Sequence, residues 1–461
     1  MTFLDRAIDA LSAFVFQAVP VGGVDVQIIV LWLAVAMLFA TFWLGVPQLR
    51  GFREAWHVLR GKYHDPDAPG EVSQFAALAT ALSGTVGLGN IAGVAVAVST
   101  GGPGAVFWML VIGVFAMALK CAEVTLGLMY RDVLPDGRVR GGPFVTLTNG
   151  LAAIGRPRLG KVLGHFYAFF LLGGALSLFQ VNQSFAQVSA ATGFDNRVAF
   201  GIGFALLTAL VLLGSIRWIA RTTSVLVPMM AFIYIGGCLV ILGSNIGAIP
   251  GAVALIVGEA FNAQSAFGGI LGAFVAGMRR AVYSSEAGVG TAVIAHTQAK
   301  TREPASEGLV ALLEPFIDTV VICTLTGITV IVAGPWNPAT NGGLEGIAIT
   351  SGAFATIAPW FPIVLAVAVF LFAYSTVIAN GFYGAEGFQH LAGRGSWQNL
   401  AWKIGFCCIL PFGAILELGK IVDFVDSVYF LMAIPNILGL YLLAGPLKRE
   451  MNRYLARHGK G

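Results

Sequence analysis

The sequence predicts an all-α integral membrane protein with about eleven transmembrane helices. Three observations carry that class. Of 461 residues, 57% are hydrophobic and only 11% charged, where an ordinary soluble domain carries about 25% charged residues. Apolar runs of about 20 residues, the length that crosses a bilayer, recur along the chain. When the connecting loops are assigned alternately to the two sides, Lys and Arg gather on one of them.

Taken in order, residues 1–24 form an N-terminal interfacial segment. Within it 3–19 is expected to be a short amphipathic helix, with Asp5, Arg6 and Asp9 on its polar side. The basic n-region and small-residue cleavage site of a signal peptide are missing from this stretch. Residues 25–46 make a first, extra transmembrane helix. Ten further spans are expected near 74–99, 104–130, 163–190, 198–214, 223–243, 266–297, 308–333, 360–390, 399–418 and 424–446. The segments 251–261 and 345–357 are too short to cross and read as re-entrant or surface helices. Residues 447–461 are a basic cytoplasmic tail. With the loop 47–73 placed inside, 21 of the 27 Lys and Arg lie on the inner side. Arg6, Arg197 and Lys420 fall outside, and Lys120, Arg279 and Arg280 lie within or at the ends of spans. The N-terminus is then outside and the C-terminus cytoplasmic.

The net charge of +4 is spread over short loops, so nucleic acid is not an expected partner; the lipid bilayer is. Cys121, Cys238, Cys323, Cys407 and Cys408 lie in apolar segments without CxxC spacing and read as buried thiols. The six histidines show no ligand spacing, Gly141-Gly142-Pro143 is a loop turn, and no nucleophile–base set is present. Enzyme chemistry and a bound cofactor are therefore not expected.

Two stretches interrupt otherwise ordinary spans. Gly84-Thr85-Val86-Gly87-Leu88-Gly89-Asn90 places three glycines and an asparagine inside the second span, each Gly costing a helix about 1 kcal/mol relative to Ala. Ser284-Ser285-Glu286-Ala287-Gly288-Val289-Gly290 echoes it in the seventh. The two are five spans apart, and an odd offset makes the two helices run in opposite directions. Paired Gly-interrupted spans in corresponding halves point to an inverted-repeat transporter with a midplane site. The halves are 74–243 and 266–446. A broken helix frees N–H groups that suit a carboxylate and carbonyls that suit Na⁺. The bland alternative is a glycine packing seam.

Ionisable and polar residues inside spans extend the candidate set. Glu123 reads as a brace for an unwound neighbour, or as an i,i+3 partner of Lys120. Glu286 ties down the second break or carries a coupling proton. Asp318 begins a polar stripe and has a gating or packing role. Ser375 and Thr376 offer adjacent hydroxyls to Na⁺, unless both bond back to their own helix. Gln180, Asn182, Gln183 and Ser184 put polar groups on the fourth span, with Gln180, Gln183 and Ser184 on one face.

The run from Ala81 to Val94, then Gly101-Gly102-Pro103-Gly104-Ala105-Val106-Phe107-Trp108-Met109, Ser285 to Gly290, Phe316 to Thr324 and Phe372-Ala373-Tyr374-Ser375-Thr376, resembles the alanine or glycine:cation symporter family. The resemblance implies a LeuT-like fold: a 5+5 inverted repeat preceded by one extra helix, in a bacterial inner (plasma) membrane. It implies transport of a small neutral amino acid with Na⁺ and sometimes H⁺. The opening stretch is also similar to the first core helix of neurotransmitter:sodium symporters. By that similarity Leu88 and Gly89 would offer N–H groups to the substrate carboxylate. The carbonyls of Ser83 and Val86, with Ser375 and Thr376, would hold Na⁺, and Thr85, Asn90 and Ser284 would stand at a second Na⁺ position. The candidate substrate set is Thr85, Gly87, Leu88, Gly89, Gln180, Asn182, Ser284, Ser285, Gly288 and Asn380. Glu123, Glu286 and Asp318 are brace or proton candidates. Leu88 stands where the family has Thr, Ser285 where it has Asn, and Asn380 lies where it has an aromatic W-x-Y-Y-G-E run. These departures widen the expected substrate to a larger or more polar neutral amino acid, with H⁺-coupled or exchange transport as the alternative mode.

Overall fold

The computed structural model describes residues 3–458 apart from 22–23, 64, 136, 263–268 and 335–345. Residues 266–268 of the predicted seventh span, His64, Lys460 and the side chain of Asp5 lie outside the described set.

Helix α1 (Phe3–Val15) is followed by a hairpin, β1 (Ala18–Val21) and β2 (Val24–Gln27), so the first apolar helix begins at Ile28 instead of residue 25. The β-branched alternation of Val19, Val21, Val24 and Val26 favours the hairpin. The helices then run α2 (Ile28–Trp43), α3 (Pro47–Arg50), α4 (Phe52–Leu59), α5 (Gln74–Thr85), α6 (Leu88–Gly101), α7 (Gly104–Met129), α8 (Pro143–Ala153), α9 (Pro157–Gly174), α10 (Leu178–Thr192), α11 (Arg197–Leu212) and α12 (Ile216–Ser244). The second half holds α13 (Ile249–Ala260), α14 (Gly269–Ser285), α15 (Ala292–His296), α16 (Pro304–Ala311), α17 (Leu313–Pro315), a π-helical stretch over Phe316–Cys323, α18 (Thr324–Val332), α19 (Ile347–Ala355), α20 (Pro362–Ala392), α21 (Ser396–Ile415), α22 (Leu418–Leu442) and α23 (Ala444–His458).

Among the described residues seven helical stretches are long and apolar enough to cross a membrane: Gln74–Gly101, Gly104–Met129, Pro157–Thr192, Ile216–Ser244, Pro304–Val332, Pro362–Ala392 and Leu418–Leu442. The other four predicted spans coincide with α2, α11, α14 and α21, which are shorter or less apolar. Leu206, Leu210, Phe232 and Leu239 point outward, as a lipid-facing belt requires. The short helices expected near 251–261 and 345–357 are α13 and α19.

Several expectations are corrected. The fourth span is not one helix: it breaks after Gly174, and Ser177 takes a left-handed backbone with φ 56° before α10 restarts. The eighth span begins at Pro304 and carries the π-helical stretch, which a hydropathy window does not register. The N-terminal segment makes contacts that its amphipathic pattern does not specify. It folds onto α14 and α22, with Arg279 over the Phe16 ring, Phe16 edge-on to Phe430, and Asp9 paired with Lys420. The basic tail is the helix α23, anchored where Tyr454 donates to Glu54 and where Arg453 and Arg457 meet Glu303. Cys121, Cys238 and Cys323 are buried, but Cys407 is partly exposed and Cys408 is exposed, because both sit on the lipid side of α21.

Outside the spans, Arg131 is the main tie between loops. Its guanidinium donates to the carbonyls of Pro69, Thr297, Ala299 and Thr301 at 2.6–2.9 Å. Burial lowers its pKa to about 10, and the Glu307 charge opposes that shift, so the group stays charged at neutral pH.

Candidate functional site

The two glycine stretches are both helix breaks, and they lie against each other. In the first, the last α-helical bond runs from Val86 N to Leu82 O at 2.7 Å, and α6 restarts at Leu88. Gly87 between them accepts no side chain: a Cβ there would stand 2.8 Å from Thr376 Oγ1. The second break is longer, running from Glu286 to Thr291. Glu286, Gly288 and Gly290 have φ of 50°, 90° and 87°, the left-handed region where Gly is at ease and Glu is strained.

Asn90 joins the two. Its side-chain oxygen accepts from Gly87 N at 2.9 Å, capping α6. Its amide nitrogen donates to Ser284 Oγ and to the Asp318 carbonyl, both at 2.9 Å. Ser284 also meets Thr319 Oγ1 and Cys323 Sγ at 3.1 Å. Thr319 donates to one oxygen of Asp318, and the other Asp318 oxygen is buried without a hydrogen-bond partner. The π-helical stretch thus brings Asp318 and Thr319 to the junction of the breaks. Asn90 has its oxygen committed to the cap at Gly87, so as placed it presents no free oxygen toward Ser284.

Leu88 and Gly89 are in the first turn of α6, where backbone N–H groups have no intrahelical acceptor. Gly89 faces the Tyr283 ring, which a Cβ would approach to 3.2 Å. On the other side of the first break, the Ser83 and Val86 carbonyls come after the closing α-helical bond. Ser375 bonds back to Phe372 O at 3.0 Å, whereas Thr376 Oγ1 is fully buried and unpartnered beside Gly87. The back-bonding alternative therefore describes one hydroxyl of the pair. Thr85 reaches back weakly to Ala81 O at 3.4 Å.

The second break is held from three sides. Thr291 and Tyr429 donate to the two oxygens of Glu286. Asn436 donates to Gly288 O at 2.9 Å and to Glu123 at 2.5 Å. Tyr167 donates to Val289 O at 2.8 Å. Glu123 thus braces the unwound chain through Asn436, and Lys120 pairs with Glu314 at 3.6 Å, not with Glu123. Ser285 is occupied by Ala281 O and Ala287 N. Asn380 donates to Ser177 at the third break, at 3.0 Å, and lies beside Tyr429.

Gln180 lies beside Tyr283. Asn182 is drawn elsewhere: its amide donates to the Gly413 and Leu416 carbonyls, and its oxygen accepts from Gln183, in a cleft between α10, α19 and α21. Over the breaks, the Tyr283 and Tyr429 rings meet at a tilt with centroids 5.6 Å apart, and Asp426 binds Arg279 and Arg280 above them.

Asn436, Tyr429, Asp426, Arg280, His296, Glu307 and Glu314 were not in the predicted set. Asn436 follows Pro435 in mid-span, and Glu314 is a bare carboxylate inside an apolar run. Both signals were present in the sequence. Among the described residues no group of three or more His, Cys, Asp or Glu is arranged to hold a metal ion.

A sequence model of the sodium:alanine symporter family matches residues 9–461. Over 424 residues the chain is 38% identical to the sodium/alanine symporter AgcS of Methanococcus maripaludis, covering 90% of this chain and 92% of that protein. Over 441 residues it is 31% identical to the probable sodium/glutamine symporter GlnT of Bacillus subtilis, covering 94% and 89%. Its backbone is similar to that of MhsT, solved in complex with L-phenylalanine, with a TM-score of 0.55 and 15% identity over 83% of this chain and 99% of that one. That likeness establishes the LeuT-like architecture.

Proposed function

Since the chain belongs to the sodium:alanine symporter family, we propose that it carries a small neutral amino acid through a midmembrane site between its two broken helices. Its activity is sodium-coupled amino-acid symport, not enzyme chemistry. The observation that most supports the site is the junction of the breaks. There, first-turn N–H groups of α6, post-helical carbonyls of α5 and the unpartnered Thr376 hydroxyl converge. The N–H groups of Leu88 and Gly89 receive the carboxylate. Ser83 O, Val86 O and the hydroxyls of Ser375 and Thr376 receive Na⁺. The substrate side chain lies toward Tyr283, Tyr429 and Asn380. The relatives are named for alanine and for glutamine. Asn380 and the Tyr429 hydroxyl suit a side chain between those two in polarity.

Alternating access follows from the two ends of the junction. On the side we assign to the outside, Arg280 and Asp426 with the Tyr283–Tyr429 pair close the path. Toward the other side, α5 and α15 separate the site from the loops tied by Arg131. Each Na⁺ entering gains about 2.3 kcal/mol per 100 mV, enough for roughly fiftyfold accumulation. Uptake of labelled alanine and glutamine into proteoliposomes tests the reading. It should require an inward Na⁺ gradient, and uptake that persists with choline in place of Na⁺ would refute sodium coupling.

A further inference from the structure

Below the junction lies a set of ionisable side chains that the transport site does not use. His296 closes α15, and both of its ring nitrogens face carboxylates: Nδ1 lies 2.7 Å from Glu307 Oε1 and Nε2 lies 3.4 Å from Glu314 Oε2. Glu314 also meets Lys120 Nζ at 3.6 Å. All four side chains are wholly shielded from solvent. Their backbone supports come from α15, α16, α17 and α7.

His296 Nδ1 is hydrogen-bonded to Glu307, whereas Nε2 and both Glu314 oxygens are buried without a hydrogen-bond partner. A neutral imidazole has one N–H and one lone pair. Placed between two carboxylates, it would aim that lone pair at an anion. Two carboxylates and one ammonium also leave a buried net negative charge, which is costly without compensation. One added proton resolves both conflicts, giving two N–H groups for two carboxylates and a neutral total.

Beyond Lys120 and His296, the groups that reach Glu314 are uncharged or acidic, while Glu307 also feels the Arg131 charge. From α5, which carries no charged residue between Gln74 and Thr85, only the Thr85 hydroxyl reaches Glu314. From α20 the Tyr383 phenol faces it. The more distant charges are Glu123 on α7, Glu286 in the second break and Asp318, all acidic, and Arg131 past the end of α7, which is committed to four carbonyls.

We propose that His296, Glu307, Glu314 and Lys120 form a proton-binding site, distinct from the Na⁺ and amino-acid sites, whose proton locks α15 to α16 and α17 against α5. Resting on the symport reading, the site makes closure of this half of the pathway depend on one proton. Losing it sets the His296 ring free of one carboxylate and lets α5 and α15 part.

Two measurements test this. The first is Na⁺-driven uptake of labelled alanine into proteoliposomes between pH 6 and pH 9. The wild type should show a pH-dependent rate. His296→Gln leaves an unbalanced charge and should lose tenfold or more. His296→Gln with Glu307→Gln restores neutrality without a titrating group, and should recover most of the rate with a flat profile. A flat wild-type profile, or a double variant that keeps the wild-type profile, overturns the proposal. The second measurement is ¹⁵N NMR of histidine-labelled protein, with the His296 signal identified by its loss in His296→Gln. It needs neither transport nor a folded double variant. Two protonated ring nitrogens at pH 7 are expected, and a neutral ring overturns the proposal even if symport is confirmed. Absence of Na⁺-driven uptake with a doubly protonated His296 would instead overturn the symport reading alone.

Discussion

Removing the Thr376 hydroxyl tests whether this residue binds sodium or serves the fold. Thr376 Oγ1 is fully buried and makes no hydrogen bond within the protein. Its penalty as an unsatisfied buried polar atom is about 1–3 kcal/mol. Thr376→Val keeps the shape and deletes that atom, so in sodium-free buffer the variant should be as stable as the wild type or more so. If the hydroxyl is a Na⁺ ligand, sodium stabilises the wild type by binding its folded state, by about 2.7 kcal/mol at a hundredfold excess over Kd. The variant should lose most of that gain, while Thr376→Ser should keep it. Thermal unfolding of detergent-solubilised protein in NaCl, against choline chloride at equal ionic strength, reads both quantities. A Thr376→Val protein that still gains the full sodium-dependent shift would refute the ligand assignment. One that is destabilised without sodium would show that the hydroxyl has a protein partner instead.

Three further outcomes are expected. Gly89→Val, whose Cβ alone would stand 3.2 Å from the Tyr283 ring, should abolish uptake while membrane insertion, read by fractionation, is unchanged. Asn90→Ala removes three hydrogen bonds and strands Gly87 N–H. It should cost about 2–4 kcal/mol in a denaturation assay, with uptake lost even below the unfolding midpoint. Arg131→Lys cannot serve four carbonyls with three donors and should lower the unfolding midpoint. Because burial lowers the Arg131 pKa only to about 10, the folded and unfolded states bind the same proton below about pH 9. Arg131 should therefore contribute no pH dependence to wild-type stability there, and a wild-type stability that varies through titration of this group in that range would contradict the assignment.

The fold was legible in the sequence wherever a single physical signal sufficed. Length and hydropathy place the spans, and the glycine doublets of Gly87-Leu88-Gly89 and Gly288-Val289-Gly290 mark both breaks, because a helix there loses bonds and gains close approach. The third break was not legible. Gly173-Gly174-Ala175-Leu176-Ser177 is as apolar as its neighbours, and what ends the helix is a left-handed Ser177 held by Asn380, more than two hundred residues away. The π-helical stretch was hidden for a similar reason, since an added residue per turn leaves average hydropathy unchanged. Within the site, Glu123 was legible as a brace, whereas Asn436 was visible only as a polar residue in a span and not as the intermediary that links Glu123 to Gly288. Asn182 was a substrate candidate as a polar residue of the fourth span, yet the Gly413 and Leu416 carbonyls claim it. Sequence spacing says which residues share a helix face and leaves open which neighbour that face meets.

The kink at Ser177 has a mechanical consequence. An unbroken helix behaves as a strut: a sideways push at one end moves the other. With a joint at Ser177, α9 can stay fixed against α8 and α22 while α10 swings. The joint is wired by side chains to the second break, through Asn380, Tyr429 and Glu286. A displacement of Glu286 can then be spent as rotation of α10, without dragging α9 and the Tyr167 contact along. A second break that moves would therefore meet a hinged panel instead of a rigid wall, and stiffening that hinge is expected to slow uptake without touching a ligand.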